Sequence, residues 1–107
     1  RFQRDFLKLV YQNNPEVQYL HFGDLDAGGF YIYLHLIEKT GISFKPLAMN
    51  KDILIKYADY CKKLTVNDRK KLSNLKEYIT DGTIEYMLEH NVKLEQEIVD
   101  IEDIKII

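Results

Sequence analysis

Two aspartates one residue apart, Asp24 and Asp26, stand directly after an apolar segment of the chain. Two carboxylates that converge offer hard oxygen ligands, and without a cysteine nearby such a pair favours Mg²⁺ or Mn²⁺. Side chains two residues apart share one face of an extended strand, and Gly23 lets the backbone bend so that both carboxylates reach one cation. The spacing therefore predicts a divalent-metal site.

Two glycines follow the aspartates and point to the same kind of chemistry. Gly28 and Gly29 permit a tight turn and the close approach of a phosphate to the backbone, near the N-terminus of the helix expected to begin around Phe30. In the competing interpretation Asp24 and Asp26 cap that helix and solvate a turn, which is the commoner role of acidic turn residues. The residues alone leave both interpretations open.

The element that positions these residues is a predicted strand over residues 17–22. This short segment is rich in aromatic and branched side chains and follows the turn signal of Asn13, Asn14 and Pro15. Its near-continuous apolarity predicts burial on both faces, as in a parallel sheet covered by helices. Such sheets bind ligands beyond the carboxyl ends of their strands, which is where the aspartates lie.

The segment HFGDLDAGGF, residues 21–30, resembles the Asp-x-Asp motif of Toprim domains. It has the Gly-Asp-x-Asp-x-Gly form of the C-terminal domain of JetD, the nuclease subunit of Wadjet anti-plasmid systems, which is similar to the A subunit of topoisomerase VI. The segment LEQE, residues 94–97, also resembles a signature of that family. The family pattern has an aspartate or a similar residue where this chain has Asn50, which is a mild departure from the pattern. The resemblance covers most of the chain.

This resemblance implies a Rossmann-like Toprim domain of the α/β class, with a small, mainly parallel sheet flanked by helices. It further implies metal-dependent cleavage of DNA phosphodiesters, with Asp24 and Asp26 as catalytic residues and as ligands of Mg²⁺ or Mn²⁺. From their chemistry alone, Glu95 and Glu97 are expected to be exposed helix carboxylates. One of them, with Glu97 as the catalytic candidate, could instead reach back to orient a metal-bound water or a basic residue. The implied partners are plasmid DNA and the SMC-like subunits of the Wadjet complex, and a homodimer is left open.

The family's upstream glutamate has no match in this sequence. Glu16 is the only glutamate before the motif, and it belongs at the opposite end of the predicted strand. We therefore expect the strand that carries the glutamate to precede Arg1, so that the chain is a fragment with a truncated N-terminal strand. On this expectation the fragment alone is inactive as a nuclease.

Length and composition limit the alternatives. The 107 residues predict one domain, residues 1–107, and the formal net charge of −2 means that DNA contact needs a local basic patch. The single cysteine, Cys61, excludes an internal disulfide and favours a reducing, cytoplasmic compartment. No segment is long and apolar enough to cross a membrane, and a membrane is not among the expected partners.

Helical spacing predicts the first two helices. The first dozen residues form an amphipathic pattern whose inward face is expected to carry Phe2, Phe6, Leu9 and Val10. A second helix is expected from about Phe30 to Thr40, with Gly41 as its C-terminal cap. Ile32 and Leu36 lie on further sides of this helix, which predicts that it is well buried.

Turn and cap residues predict the remaining elements. Segment 42–49 is a second strand candidate, placed at an edge or bend by Pro46, and a right-handed βαβ connection is expected. Asn50 is expected to cap one helix, and Thr65 to open a capping box with the residue three positions on. Gly82 belongs to a turn before a short helix. Helical spacing also predicts a helix over 94–101.

A local basic cluster flanks the expected capping box, and its members are Lys62, Lys63, Arg69, Lys70 and Lys71. Lys70 and Lys71 are the candidates for contact with a DNA backbone, because positioned lysines suffice to neutralise phosphates. The competing interpretation of such a run is a solvated helical face.

Two further functions compete with the nuclease. A haloacid-dehalogenase-like phosphotransferase also uses an Asp-x-Asp at the end of a strand, but Gly28 stands where that class has Thr or Val, and no lysine motif follows clearly. The non-enzymatic alternative is a Toprim-fold scaffold that binds DNA or partner subunits, with its aspartates serving as caps. Dependence on a metal ion separates the scaffold from the nuclease.

Overall fold

The computed structural model describes residues 2–100, with side chains from Arg4 onward. Its elements are α1 (Phe2–Asn13), β1 (Leu20–His21), α2 (Ala27–Thr40), β2 (Lys45–Pro46), α3 (Lys51–Lys56), α4 (Val66–Ser73) and α5 (Thr83–His90), with short 3-10 helices at Ala58–Tyr60 and Gln96–Ile98. The order β1-α2-β2 with parallel pairing confirms the predicted α/β class. Among residues 2–100, no helix has the length and apolar character needed to cross a bilayer.

The sheet is smaller than the sequence predicted. Leu20 pairs with Lys45, and within the described residues β1 and β2 are the only strands of the sheet. The prediction of a strand buried on both faces was wrong, since Leu20 and His21 are half-buried and Val17 is 57% exposed. Two short strands do not provide enough neighbours to cover both faces. The hydrogen bonds from β2 bypass Pro46, which suits a residue without an N–H.

Helix α2 begins earlier than predicted, at Ala27, and ends as predicted. Gly41 takes the left-handed conformation (φ 72°), and its N–H donates to the carbonyl of Ile37 at 2.8 Å. The expectation that Ile32 is buried was wrong, because its side chain is 62% exposed. The buried face of α2 carries Phe30 and Tyr33 instead.

Helix α1 forms as predicted, but its inward face differs from the predicted one. Of the predicted residues, Val10 is half-buried, and the Phe2 side chain lies outside the described residues. Phe6 and Leu9 are 58% and 55% exposed, while Leu7 and Tyr11 pack against the core. Both sets have helical spacing, so the pattern alone could not choose between them. The Tyr11 ring meets that of Tyr19 edge-on at 5.4 Å, a contact that turns the Leu7 face toward the core.

The predicted caps of the later helices are confirmed. Asn50 accepts the N–H of Ile53 at 3.2 Å, and Thr65 forms a reciprocal capping box with Asp68. These helices cover a core whose fully buried side chains are Leu25, Phe30, Ile42, Met49, Leu54, Leu72, Leu75, Thr83, Ile84 and Met87. The apolar face of each short helix is stabilised by this shared core rather than by helix propensity.

The predicted helix over 94–101 was wrong as far as the structure describes it. Lys93 and Leu94 are extended and form antiparallel bridges with Lys62 and Leu25. A single 3-10 turn follows at Gln96–Ile98, and residue 101 lies outside the described residues. Leu94 is 2% exposed, so its burial against Leu25 outweighs the weak helical preference of a short segment.

Candidate metal site at the end of the first strand

The turn between β1 and α2 is held in place by Leu25. Its N–H donates to the carbonyl of Leu94 at 2.8 Å, and its carbonyl accepts the N–H of Leu94 at 3.1 Å. The Leu25 side chain is buried, whereas Asp24 and Asp26 are only half-buried. Because neighbouring side chains of extended backbone alternate, the two aspartates lie opposite the buried leucine and share the more accessible side.

Asp26 is the N-cap of α2. Its backbone is extended (φ −146°, ψ 175°), and its Oδ1 accepts the N–H of Gly29 at 2.6 Å. One oxygen of this carboxylate therefore satisfies a helix N–H group that would otherwise lack a partner. The capping role of Asp26 that the sequence left open is present in the structure, and it leaves Oδ2 for another partner.

Asp24 is bound by a distant part of the chain. Its Oδ1 accepts the N–H of Gln96 at 2.8 Å, across 72 residues of sequence. This bond joins the segment 21–30 to the segment 94–97 through the backbone of Gln96, whereas sequence reasoning had allowed only a carboxylate of Glu95 or Glu97 to reach this site. The available signal in the sequence was Leu94, an apolar residue next to a run of polar residues.

The neighbouring glutamates of segment 94–97 have different surroundings. Glu95 is exposed and accepts a hydrogen bond from Lys62 Nζ at 2.6 Å. This hydrogen bond, together with the attraction of the opposite charges, lowers the pKa of Glu95 and raises the pKa of Lys62. Glu97 is exposed in the 3-10 turn directly after Gln96, on the segment that Asp24 holds.

The two glycines of the motif have separate roles. A Cβ atom on Gly29 would lie 1.9 Å from the backbone oxygen of Asp24, so the backbone of α2 approaches the turn more closely than any other residue allows. Gly28 is exposed, and a Cβ there would lie 3.4 Å from Asp26 Oδ1. Gly29 therefore permits the close approach of α2 to the Asp24 backbone, and Gly28 leaves the space beside Asp26 open.

His21, at the end of β1, is a polar residue of this region that sequence reasoning did not single out. Among the described residues its buried Nε2 atom has no hydrogen-bond partner, and a Cβ on Gly23 would lie 2.9 Å from that atom. Burial lowers the pKa of His21, which favours the neutral ring. Its position three residues before Asp24 was the signal in the sequence from which it could have been identified as part of this region.

The donor set fits an open metal site but not a closed cage. No group of three or more His, Cys, Asp and Glu side chains in residues 2–100 could hold a metal ion. Asp24 and Asp26 each use one oxygen for a backbone N–H, and no hydrogen bond within that region engages their second oxygens. Mg²⁺ commonly keeps several waters and binds through one or two carboxylates plus substrate phosphates, so two carboxylates can be enough for an ion of this kind.

A family model decides the relationship of this chain to known proteins. The model for the C-terminal region of the Wadjet protein JetD matches residues 4–106. The chain belongs to this JetD family. The predicted resemblance to the C-terminal domain of JetD is confirmed, and the matched range includes segments 21–30 and 94–97. Neither the curated proteins nor the solved structures contain a match to the chain.

The predicted basic cluster is divided in this JetD C-terminal domain. Lys62 pairs with Glu95, and the Arg69 guanidinium donates to the Leu88 carbonyl at 2.9 Å and to Asn91 Oδ1 at 3.1 Å. Lys70 and Lys71 are exposed, and no ion pair within the described residues involves them. Lys63 is exposed in the same way, so three cations of the cluster are available to a phosphate among the described residues.

Proposed function

We propose that this JetD domain is a Toprim-like, metal-dependent DNA endonuclease domain of a bacterial Wadjet anti-plasmid defence system. The observation that carries the proposal is the hydrogen bond from the Gln96 N–H to Asp24. It joins the two segments that resemble the family's motifs at the carboxylate pair. An acidic pair at the end of a strand, held by the backbone on one side and open on the other, suits an ion that binds phosphate.

Each aspartate has a defined part in this proposal. Asp24 and Asp26 hold Mg²⁺ or Mn²⁺ through the oxygens that their backbone hydrogen bonds leave free, directly or through water. The ion, when bound, offsets the repulsion between carboxylates and phosphate, stabilises charge on the transferring group and activates the nucleophile. The N–H groups at the start of α2, beside the exposed Gly28, favour a phosphate near the same point.

Other residues complete the proposed enzyme. Glu97 lies next to the residue that binds Asp24, and we assign it to orienting a water or a basic group at the ion. Lys70 and Lys71 contact the DNA backbone away from the cleaved bond. Plasmid DNA, SMC-like Wadjet subunits and a second copy of the chain are the proposed partners, in the cytoplasm.

The test is plasmid cleavage by the protein that carries this domain, reconstituted with its partner complex, in Mg²⁺ and in EDTA. The informative variants are Asp24→Asn and Asp26→Asn. Asparagine caps a helix as well as aspartate does and keeps the oxygen that accepts the backbone N–H, but it removes the charge that a cation needs. We expect cleavage to require Mg²⁺ and to fall by about a hundredfold or more in each variant.

Asp81→Asn is the matched control. Asp81 also accepts a backbone N–H at the start of a helix, from Thr83 at 3.0 Å, and lies in another turn. Its substitution should leave cleavage unchanged. Cleavage that persists in both Asp24→Asn and Asp26→Asn would move the chemistry to other residues and contradict the proposal.

A non-catalytic scaffold is the second candidate, and one observation favours it. Both aspartates already accept backbone N–H groups, and residues 2–100 contain no third side chain grouped with them as a metal ligand. A scaffold of this kind would bind partner subunits or DNA and would not bind Mg²⁺. Both Asn variants would then assemble with the complex and function as the wild type does.

A further inference from the structure

A polar cleft of about 500 Å³ lies between helices α1 and α2, away from the aspartate pair. Its lining residues are Arg4, Asp5, Lys8, His35 and Lys39. Sequence reasoning did not identify this cleft, because its two halves are separated by nearly thirty residues of chain. Leu7 and Tyr11 of α1 pack toward the core, while Phe6 and Leu9 are exposed.

The charge of this cleft is opposite to that of the chain. Three cations and one carboxylate line it, which gives a formal charge of +2 with His35 neutral, whereas the whole chain carries −2. Within the described residues no ion pair joins Arg4, Lys8 or Lys39 to a carboxylate. The Arg4 guanidinium donates from Nη1 to His35 Nε2 at 3.4 Å, so these side chains face each other across the cleft. Such a lining complements an anion.

The cleft continues into a surface stripe along α2. Tyr31, His35 and Lys39 are four residues apart and therefore follow one side of the helix. Tyr31 is 41% exposed, and together with His35 and the 64% exposed Tyr78 it lines a more apolar groove of about 460 Å³ next to the cleft. The Tyr31 hydroxyl donates to the Lys71 carbonyl at 3.4 Å. The stripe thus connects the cleft with the corner that carries Lys70 and Lys71.

The dimensions of the stripe suit a nucleic-acid strand. Eight residues separate Tyr31 from Lys39, which is about 12 Å of helix, or between three and four base-pair steps of about 3.4 Å. Exposed tyrosines between two basic regions provide contact area for sugars and bases while the cations hold phosphates. The Asp26 cap belongs to the same helix, and nine residues, about 13 Å, separate it from His35.

We propose that the α1–α2 cleft binds backbone phosphates of DNA and that the stripe directs the strand between this cleft and Lys70 and Lys71. The inference rests on the proposed function in taking DNA as the ligand, and it adds a second anchoring site outside the aspartate pair. Arg4, Lys8 and Lys39 supply the charge. His35 acts as a positioning residue that orients the Arg4 guanidinium.

The test measures DNA binding without cleavage. A labelled duplex of about twenty base pairs is titrated with the protein that carries this domain, in EDTA, and fluorescence anisotropy gives Kd at several salt concentrations. We expect the double variant Lys8→Gln/Lys39→Gln to bind roughly tenfold more weakly, with the slope of log Kd against log salt reduced by about 1 to 2. The variant Lys8→Arg/Lys39→Arg keeps both charges and should bind as the wild type does.

The matched control is Lys51→Gln/Lys76→Gln, which removes two exposed lysines that do not line the cleft. It should change Kd by less than the cleft variant does. Unchanged melting temperatures establish that the variants are folded. Equal losses of affinity in both double variants, or normal binding by the cleft variant, would overturn the proposal and assign the cleft to a protein or another anion.

The outcome is separable from that of the cleavage experiment. If Asp26→Asn cleaves normally but the cleft variant binds DNA weakly, the cleft proposal stands and the nuclease proposal fails. If the cleft variant binds DNA normally while Asp26→Asn is inactive, the reverse holds. A wild-type protein that binds no duplex in EDTA also overturns the cleft proposal.

Discussion

Two acidic turns of this domain use carboxylates in contrasting ways. At the start of α4, Asp68 accepts the Thr65 N–H at 2.8 Å and also pairs with Lys93 Nζ at 2.7 Å, where both side chains are half-buried. At the start of α2, Asp26 accepts a backbone N–H, but no cation within the described residues pairs with it. Both carboxylates help to begin a helix, and only that of Asp68 has its charge balanced by a side chain.

The difference indicates which carboxylates are available for chemistry. Lys93 and Leu94 are neighbours in one extended segment, yet Lys93 pairs with Asp68 while Leu94 pairs through its backbone with Leu25, between Asp24 and Asp26. The aspartate pair is therefore stabilised by backbone groups and close packing, and the Asp68 turn by opposite charges. Substitutions that add volume should damage the first turn, and those that remove charge should damage the second.

The largest effect is expected from Gly29→Ala. The new Cβ would overlap the backbone oxygen of Asp24 at 1.9 Å, and neither backbone segment can move without breaking the Leu25–Leu94 bridge. We expect a loss of about 3 kcal/mol or more in the free energy of unfolding, measured by urea denaturation.

Gly28→Ala is the control for that substitution. Its Cβ would be exposed, 3.4 Å from Asp26 Oδ1, and alanine favours a helix by about 1 kcal/mol over glycine. Stability should therefore stay the same or rise. Equal losses in both variants would show that the turn is not held by the close approach at Gly29.

A smaller effect is expected when Mg²⁺ is added. An ion that binds only the folded protein should raise its free energy of unfolding by about 1.4 kcal/mol at about ten times Kd, and thermal denaturation should detect this. Asp24→Asn and Asp26→Asn should lose the increase while keeping their own stability within about 0.5 kcal/mol, because asparagine preserves both hydrogen bonds. Sodium chloride of equal ionic strength should produce no such increase in the wild type.

The smallest effect concerns the pH dependence of the Asp68 turn. The hydrogen bond from Lys93, followed by that from the Thr65 N–H, lowers the pKa of Asp68 below its usual value of 3.8. The unfolded state therefore binds a proton at Asp68 more readily than the folded state does. The contribution of Asp68 to the free energy of unfolding is fully present above pH 3.8, and it is lost as the pH falls through the pKa that Asp68 has in the folded protein. Asp68→Asn should lower the free energy of unfolding by about 1 kcal/mol at pH 7 and by less at pH 2.

Denaturant titrations of wild type and Asp68→Asn at both pH values provide this measurement. Asp26→Asn is the matched variant at the other turn, and it should cost less than Asp68→Asn at pH 7, since it removes no ion pair. If Asp26→Asn lowered the free energy of unfolding more than Asp68→Asn does, the proposed difference between the two turns would be contradicted.

Helix ends were the most predictable part of the fold. Gly41, Asn50, Thr65 and the turn at Gly82 were all placed correctly, because a cap acts within three or four residues and its chemistry is written in those residues. The side of each helix that faces the core was less predictable. In α1 two sets of apolar residues had helical spacing, and only packing against the rest of the chain selected Leu7 and Tyr11.

By itself the sequence determined the family, the α/β class and the positions of Asp24 and Asp26 at the end of β1. Each of these depends on residue types at short spacing. Only the tertiary structure decided that Gln96 reaches Asp24, that Lys93 neutralises Asp68, and that α1 and α2 enclose a basic cleft. These contacts join residues 25 or more positions apart, and local pattern carries no information on them because burial of the shared core determines which surfaces meet.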